Sequence, residues 1–176
     1  MKSKFNVKQL TLLAMLVAVL LLMAFTPLGY LNIGLLAITF NVIPVAIGAI
    51  ALGPAGGLIA GSVFGLTSFL QCIGIGGLSP LGSTLFSINP FFTIVLCFVP
   101  RMLDGFLLGY IFRIVGRFNR TAACFVTGFF AAFLNTAFYM SALVLLFGQT
   151  EYMQGLINGR NILVFICAFV GVNAIF

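Results

Sequence analysis

The sequence has very few charged residues for its length. Its 176 residues include eight Lys or Arg, two Asp or Glu and no His, so that only 6% are charged while 62% are hydrophobic. Because soluble domains carry about 25% charged residues, this composition excludes a water-soluble globular fold. The length and the mean hydropathy of +1.28 instead indicate one compact membrane domain with a few spans.

Groups that carry chemistry in many other proteins are also missing. Without His, the chain lacks the commonest metal ligand and the side chain that ordinarily transfers protons near neutral pH. No segment has the form G-x-x-x-x-G-K-S/T that cradles ATP phosphates. Asp104 and Glu151 are the only carboxylate side chains, too few for the acid, base or metal cluster of an intramembrane enzyme. The sequence therefore predicts no catalytic residue, no metal site and no cofactor, and its chemistry reduces to binding.

The basic residues and the cysteines indicate neither a nucleic-acid partner nor a metal site. Six of the eight basic residues lie in two short clusters: Lys2, Lys4, Lys8, Arg113, Arg117 and Arg120. Neither cluster forms a face or an arm interleaved with aromatic residues, as nucleic-acid binding would need. The four cysteines lie far apart without CxxC spacing, and we interpret them as small buried apolar residues.

Six apolar stretches predict an all-α integral membrane protein of six transmembrane helices. The predicted helices cover about residues 9–26, 33–52, 54–72, 91–115, 121–147 and 160–176 of a single domain, residues 1–176. Pro44 is expected to kink the second helix, and Pro54 suits the first turn of the third. The sixth stretch holds only about 25 Å of helix, less than the thickness of the hydrocarbon core. We therefore expect that the true C-terminus is missing.

The distribution of Lys and Arg orients these helices. With six spans, the N-terminus and the loops after the second and fourth helices share one side, which collects both basic clusters, whereas the other side has at most Arg160. Because cytoplasmic loops are enriched in Lys and Arg, the N-terminus is predicted to be cytoplasmic. Residues 73–90, between the third and fourth helices, then form a long outer loop. This loop is rich in Gly, Ser and Pro and is predicted to be a cap or a re-entrant segment.

Arg101 and Asp104 are the charged residues predicted inside the membrane. Arg101 lies about 15 Å from the outer start of its helix, where a charge is costly and usually faces a cavity or a partner. Two interpretations are open. Arg101 and Asp104 are three residues apart and could neutralise each other as an ion pair. Alternatively, Arg101 offers its planar set of donors to a carboxylate or phosphate of a ligand.

Further polar residues are predicted at a similar depth. Counted from the outer ends of their helices, Asn135 lies about 18 Å deep, Tyr139 about 12 Å and Asn173 about 20 Å. With Arg101 these residues form one predicted substrate-binding layer. Any one of them alone is more often an interhelical hydrogen bond, so this alternative is kept.

Polar residues at the borders of the outer segment are predicted to close the site from above. They are Gln71, Ser87 and Asn89. The alternative, that they cap the ends of the loop, is equally open.

Small residues recur every four positions in two of the predicted helices. The third helix carries a glycine stripe: Gly53, Gly57, Gly61 and Gly65. The first helix carries the pair Ala14 and Ala18. Such spacing allows another helix to approach closely, and from the residues alone both features are interpreted as packing within this protein.

Four segments carry a resemblance to a known family. They are KQLTLLAMLVA in the first helix, FTPLGY after it, IPVAIGAIALGPAGGLIAGSVFGLTSF across the second and third, and CFVPRMLDG in the fourth. With these segments the chain resembles the substrate-binding S components of energy-coupling factor (ECF) vitamin transporters, and most of all the pantothenate-type members. The resemblance covers essentially all six predicted helices.

The resemblance implies a transport subunit of the bacterial plasma membrane and not an enzyme. Such a subunit binds a vitamin outside, here pantothenate, and docks on a transmembrane T component driven by two ATPase subunits. Ala14 and Ala18 would then form the docking surface, and the ATPases would account for the missing phosphate-binding segment. Two alternatives stay open: another B-group vitamin or precursor, such as pyridoxine or hydroxymethylpyrimidine, and a secondary transporter or channel without an ATPase.

Overall fold

The structure, a computed structural model, describes residues 6–26, 30–33, 36–75 and 80–150. Its elements follow in the order α1 (Val7–Phe25), β1 (Tyr30–Ile33), β2 (Leu36–Thr39), α2 (Val42–Cys72), α3 (Pro80–Ile88), α4 (Pro90–Val115) and α5 (Arg120–Phe147). The sixth predicted helix, residues 160–176, lies outside the described residues, as do Glu151 and Arg160.

Within the described residues, four helices are long and apolar enough to cross a membrane: α1, α2, α4 and α5. Large apolar side chains cover their outer surfaces; Phe125 and Leu145 of α5, for example, are 77% and 84% exposed. Water would make such a surface an interaction or aggregation site, whereas lipid accommodates it. A multi-pass helical membrane protein is therefore confirmed, with one short β-hairpin added to the predicted helices.

The predicted boundary between the second and third helices coincides with a break in α2 at Gly53. This residue has a φ of 73°, a left-handed conformation that glycine adopts without strain. It divides α2 into two arms, residues 42–52 and 54–72. A Cβ placed on Gly48 would lie 3.4 Å from the Cβ of Ala60, although twelve residues of straight helix would separate the two by about 18 Å. The arms therefore fold back on each other as a helical hairpin.

Two details of the predicted second helix are wrong. The helix begins at Val42 and not at residue 33, because β1 and β2 pair as an antiparallel hairpin with Tyr30 opposite Thr39. Pro44 does not kink it, since this residue lies in the first turn, where the N–H groups have no helical acceptor in any case. The first arm is consequently about 16 Å long, about half the thickness of the hydrocarbon core.

The segment predicted as a long outer loop contains the short helix α3. The ring of Phe86 on α3 meets that of Phe69 on α2 edge-on, with 6.1 Å between centroids. Leu85 is fully buried in a cluster with Leu96 of α4 and Leu143 of α5. Through these contacts α3 covers one end of the bundle formed by α2, α4 and α5.

Four of the five basic residues in the described part of the chain lie at the other end, which we call the basic end. There Gly109 of α4 packs against Gly53 and Pro54 at the turn of α2. Gln71, near the far end of α2, donates a hydrogen bond of 2.6 Å to the carbonyl of Ala24, so that the start of α1 with Lys8 lies at the basic end too. The other basic residues at this end are exposed and lie around the turn from α4 to α5: Arg113, Arg117 and Arg120. This arrangement is the one that the positive-inside rule associates with the cytoplasmic side.

The glycine stripe joins α2 to α4, as predicted from its spacing. An added Cβ would clash with the backbone of α4 at each of three positions: Gly57, Gly61 and Gly65. At Gly61 the clash is with the carbonyl group of Arg101, and at Gly65 the carbonyl oxygen of Cys97 would lie 2.9 Å away. Only residues without a side chain allow the two backbones to come this close.

Replacement of Gly61 by Ala is expected to lower the melting temperature of the protein in detergent. The new methyl group would have to push α2 away from the Arg101 carbonyl, and overpacking of this kind costs about 1–3 kcal/mol. Gly128→Ala on α5 is the matched control, because an added Cβ there meets nothing within 4 Å and alanine is the better helix former. Equal melting temperatures for the two variants in a thermal denaturation assay would contradict the close approach at Gly61.

Candidate functional site

Arg101 is the centre of a cluster contributed by three helices. Its side chain is 8% exposed, and its guanidinium carbon lies 4.6 Å from the ring centroid of Phe64 on α2 and 5.1 Å from that of Tyr139 on α5. Nη1 donates a hydrogen bond of 3.1 Å to the carbonyl of Cys97, one turn earlier on α4. A desolvated cation gains about 2 kcal/mol from such a ring. We call Arg101, Phe64 and Tyr139 the Arg101 cluster.

The possible ion pair between Arg101 and Asp104 does not form in the part of the chain that the structure describes. Arg101 extends back along α4 toward Cys97, the direction that helical side chains favour. Its Nε has no hydrogen-bond partner, and neither has Oδ1 of Asp104. The two groups therefore keep an unused donor and an unused acceptor.

Asn135 lies in the layer of Asp104, one turn closer to the basic end than the Arg101 cluster. α4 and α5 are antiparallel, and the contact of Arg101 with Tyr139 sets their register. Counting three residues on from Arg101 and four back from Tyr139 brings Asp104 and Asn135 to the same depth. The rings of Phe92 and Phe147, whose centroids lie 6.1 Å apart, give the same register. Asn135 is buried, and its Oδ1 has no partner among the described residues.

The structure thus brings some of the predicted site residues together and uses others elsewhere. Arg101 and Tyr139 are in contact, and Asn135 is one turn away. Gln71 is buried but ties α2 to α1 through the carbonyl of Ala24. Asn173 lies outside the described residues.

Asn89 and Ser87 are engaged in local hydrogen bonds. Oδ1 of Asn89 accepts from two backbone N–H groups in the first turn of α4, at 3.1 and 3.4 Å, and so caps that helix. The exposed hydroxyl of Ser87 donates to the carbonyl of Ser83, one turn earlier on α3. These contacts match the capping alternative, and a role of either residue in closing the site stays a prediction.

Phe64 and Ser68 are the residues near the site that the sequence did not single out. Phe64 is buried against Arg101, and Ser68, one turn further along α2, is buried with no partner for its Oγ among the described residues. Phe64 is one of 21 phenylalanines, so its residue type carried no signal. Its position between Gly61 and Gly65 would have been the better guide, because the stripe faces the helix that carries Arg101.

Two thiols lie beside the cluster. The Sγ atoms of Cys72 on α2 and Cys97 on α4 are 3.8 Å apart, and both residues are buried and free. The interpretation of the cysteines as buried apolar residues is confirmed for this pair and is wrong for Cys124, which is exposed on α5. Cys167 lies outside the described residues.

Apolar helices long enough to span a membrane that enclose a cation held by aromatic rings define a membrane protein with a polar cluster at its centre. The chain belongs to the family of the substrate-specific components of ECF transporters, whose family model matches residues 8–176. No curated protein matches the sequence. The family assignment confirms the resemblance at this level: the protein is the vitamin-binding subunit of a transporter and not an enzyme.

Oxidation is expected to join Cys72 and Cys97 by an intramolecular disulfide, since their sulfur atoms already lie in contact. Membranes containing the Cys124→Ser, Cys167→Ser variant would be treated with copper phenanthroline, alkylated and analysed by mass spectrometry, with the loss of both free thiols expected. The matched control retains Cys97 and Cys124 and replaces the other two, and it should keep both thiols free. Retention of both thiols in the first variant would contradict the packing of α2 against α4 at this end.

Proposed function

We propose that the protein binds pantothenate with high affinity outside a bacterial plasma membrane and delivers it through a transmembrane T component driven by two ATPase subunits. The observation that carries this proposal is the state of Arg101, a buried cation held by two rings without a carboxylate partner among the described residues. A ligand carboxylate would supply the missing acceptor and the missing negative charge.

The groups around Arg101 suit a ligand of this type. Guanidinium binds carboxylates through charge-assisted hydrogen bonds, and the contact of Arg101 with Cys97 uses only Nη1. Asn135 and Tyr139 would contact hydroxyl or amide groups. Pantothenate combines one carboxylate with hydroxyls and an amide, whereas pyridoxine and hydroxymethylpyrimidine have no carboxylate. The sequence also predicts four further ligand contacts: Gln71, Ser87, Asn89 and Asn173.

The exposed face of α1 supports docking on a T component. The buried residues of α1 are Leu13, Leu16, Leu20 and Ala24. Ala14 and Ala18 are exposed, so the packing within the protein that the residues alone indicated is wrong for this pair. Small residues on a free apolar face allow a helix of a partner to approach closely.

Arg101→Ala is expected to weaken pantothenate binding at least tenfold, about 1.4 kcal/mol, because the ligand carboxylate loses its cation. Isothermal titration calorimetry on the purified protein would measure the dissociation constant, with pyridoxine and hydroxymethylpyrimidine as comparison ligands. Arg113→Ala is the matched control, since this arginine of the same helix is exposed at the basic end. Unchanged affinity in Arg101→Ala would contradict the proposed role.

Leucine at both Ala14 and Ala18 is expected to abolish uptake and to leave pantothenate binding unchanged, because the bulkier side chains would hold off a partner helix without reaching the Arg101 cluster. Uptake would be measured in vesicles containing the T component and both ATPases, with Ala122→Leu on the exposed side of α5 as control. Normal uptake by the double variant would rule out docking through this face. Uptake by vesicles containing this chain alone would favour a secondary transporter or channel.

A further inference from the structure

We infer that Asp104 and Asn135 form a second ligand contact, one turn deeper than the Arg101 cluster. Their oxygens accept hydrogen bonds from donor groups of the bound molecule. The inference rests on the proposed function, since it takes the anionic group of the ligand to lie at Arg101. It identifies the ligand class as a short carboxylic acid that also bears hydroxyl or amide N–H groups.

Asp104 is a buried carboxylate with an unbonded oxygen. Its side chain is 1% exposed, and its Oδ1 receives no hydrogen bond from the residues that the structure describes. Burial of a carboxylate without a donor is costly, and Arg101, on the same helix, extends toward Cys97 instead. The other arginines of α4 and α5 are exposed at the basic end. A donor for Asp104 is therefore expected from a bound molecule.

Asn135 places a second acceptor in the same layer. It is 9% exposed, and its Oδ1 is also without a partner in the described part of the chain. Two such residues on facing helices would ordinarily bond to each other and tie the helices together. Because both oxygens are unbonded, two hydroxyl or amide N–H groups of a ligand between α4 and α5 would satisfy them.

The two contacts have opposite polarity, and this fixes the orientation of the ligand. The contact at Arg101 offers hydrogen-bond donors, whereas the deeper contact at Asp104 and Asn135 offers acceptor oxygens. Asp104 lies three residues, about 4.5 Å, further along the helix axis, and Arg101 extends in the opposite direction. A ligand that reaches both must separate its carboxylate from its donors by at least this distance, which a simple fatty acid cannot do because it has no donors.

A double-mutant cycle between protein and ligand tests this inference. The probes are pantothenate and its analogue in which both hydroxyls are replaced by hydrogen. Asp104→Asn and Asn135→Ala are each expected to weaken pantothenate binding at least tenfold and to weaken binding of the analogue by a smaller factor, because the analogue has lost its hydroxyl donors and keeps only its amide N–H. Thr127→Val is the matched control: this residue of α5 is also buried and unpartnered among the described residues but lies two turns deeper.

The outcomes separate the inference from the proposed function. If pantothenate binds and both Asp104→Asn and Asn135→Ala bind it as tightly as the wild type, the inference is overturned and the proposed function stands. If pyridoxine or hydroxymethylpyrimidine binds in its place and Asp104→Asn weakens that ligand tenfold, the ligand contact at Asp104 stands, whereas pantothenate and the carboxylic-acid ligand class are both overturned. If none of the three binds the wild type, both are overturned. Melting temperatures identify a misfolded variant, in which case the other variant decides.

Discussion

The close approach of α2 to α4 is the constraint on which the rest of the structure depends. Glycines at positions 57, 61 and 65 let the two backbones touch, and this contact brings the ring of Phe64 over Arg101. In a membrane there is no hydrophobic gain from joining two apolar helices, so close packing has to supply the attraction. The same feature that stabilises the bundle therefore also builds one wall of the site.

The way in which Arg101 is held determines which of its groups would be available to the proposed ligand. Aromatic faces stabilise a buried cation through their quadrupoles without taking up its N–H groups, whereas an ion pair with Asp104 would have consumed both charges. Phe64 and Tyr139 thus make the burial of Arg101 tolerable and leave Nε unbonded. The anionic ligand that we propose would therefore find an unbonded donor on Arg101.

The sequence predicted those features that follow from composition and helical arithmetic. Apolar runs identified the spanning helices, Gly53 and Pro54 marked a turn, and counting residues placed Arg101 and Tyr139 at one depth. The pairing of β1 with β2 was not predictable in this way, because a short apolar run has no periodicity that distinguishes a strand from the start of a helix. The unbonded state of Asp104 depends on side-chain directions, which spacing along a helix does not determine.

The position of α2 has a mechanical consequence for a transport subunit. α1 packs on α2, and α2 packs on α4 and α5, so that the exposed face of α1 and the Arg101 cluster lie on opposite sides of one helical hairpin. Within the described residues, most of the contact between α1 and the rest of the bundle is made with this hairpin. Glycine at position 53 has no side chain that restricts the turn between the two arms. The angle at this turn would therefore determine whether a movement of one arm reaches the other.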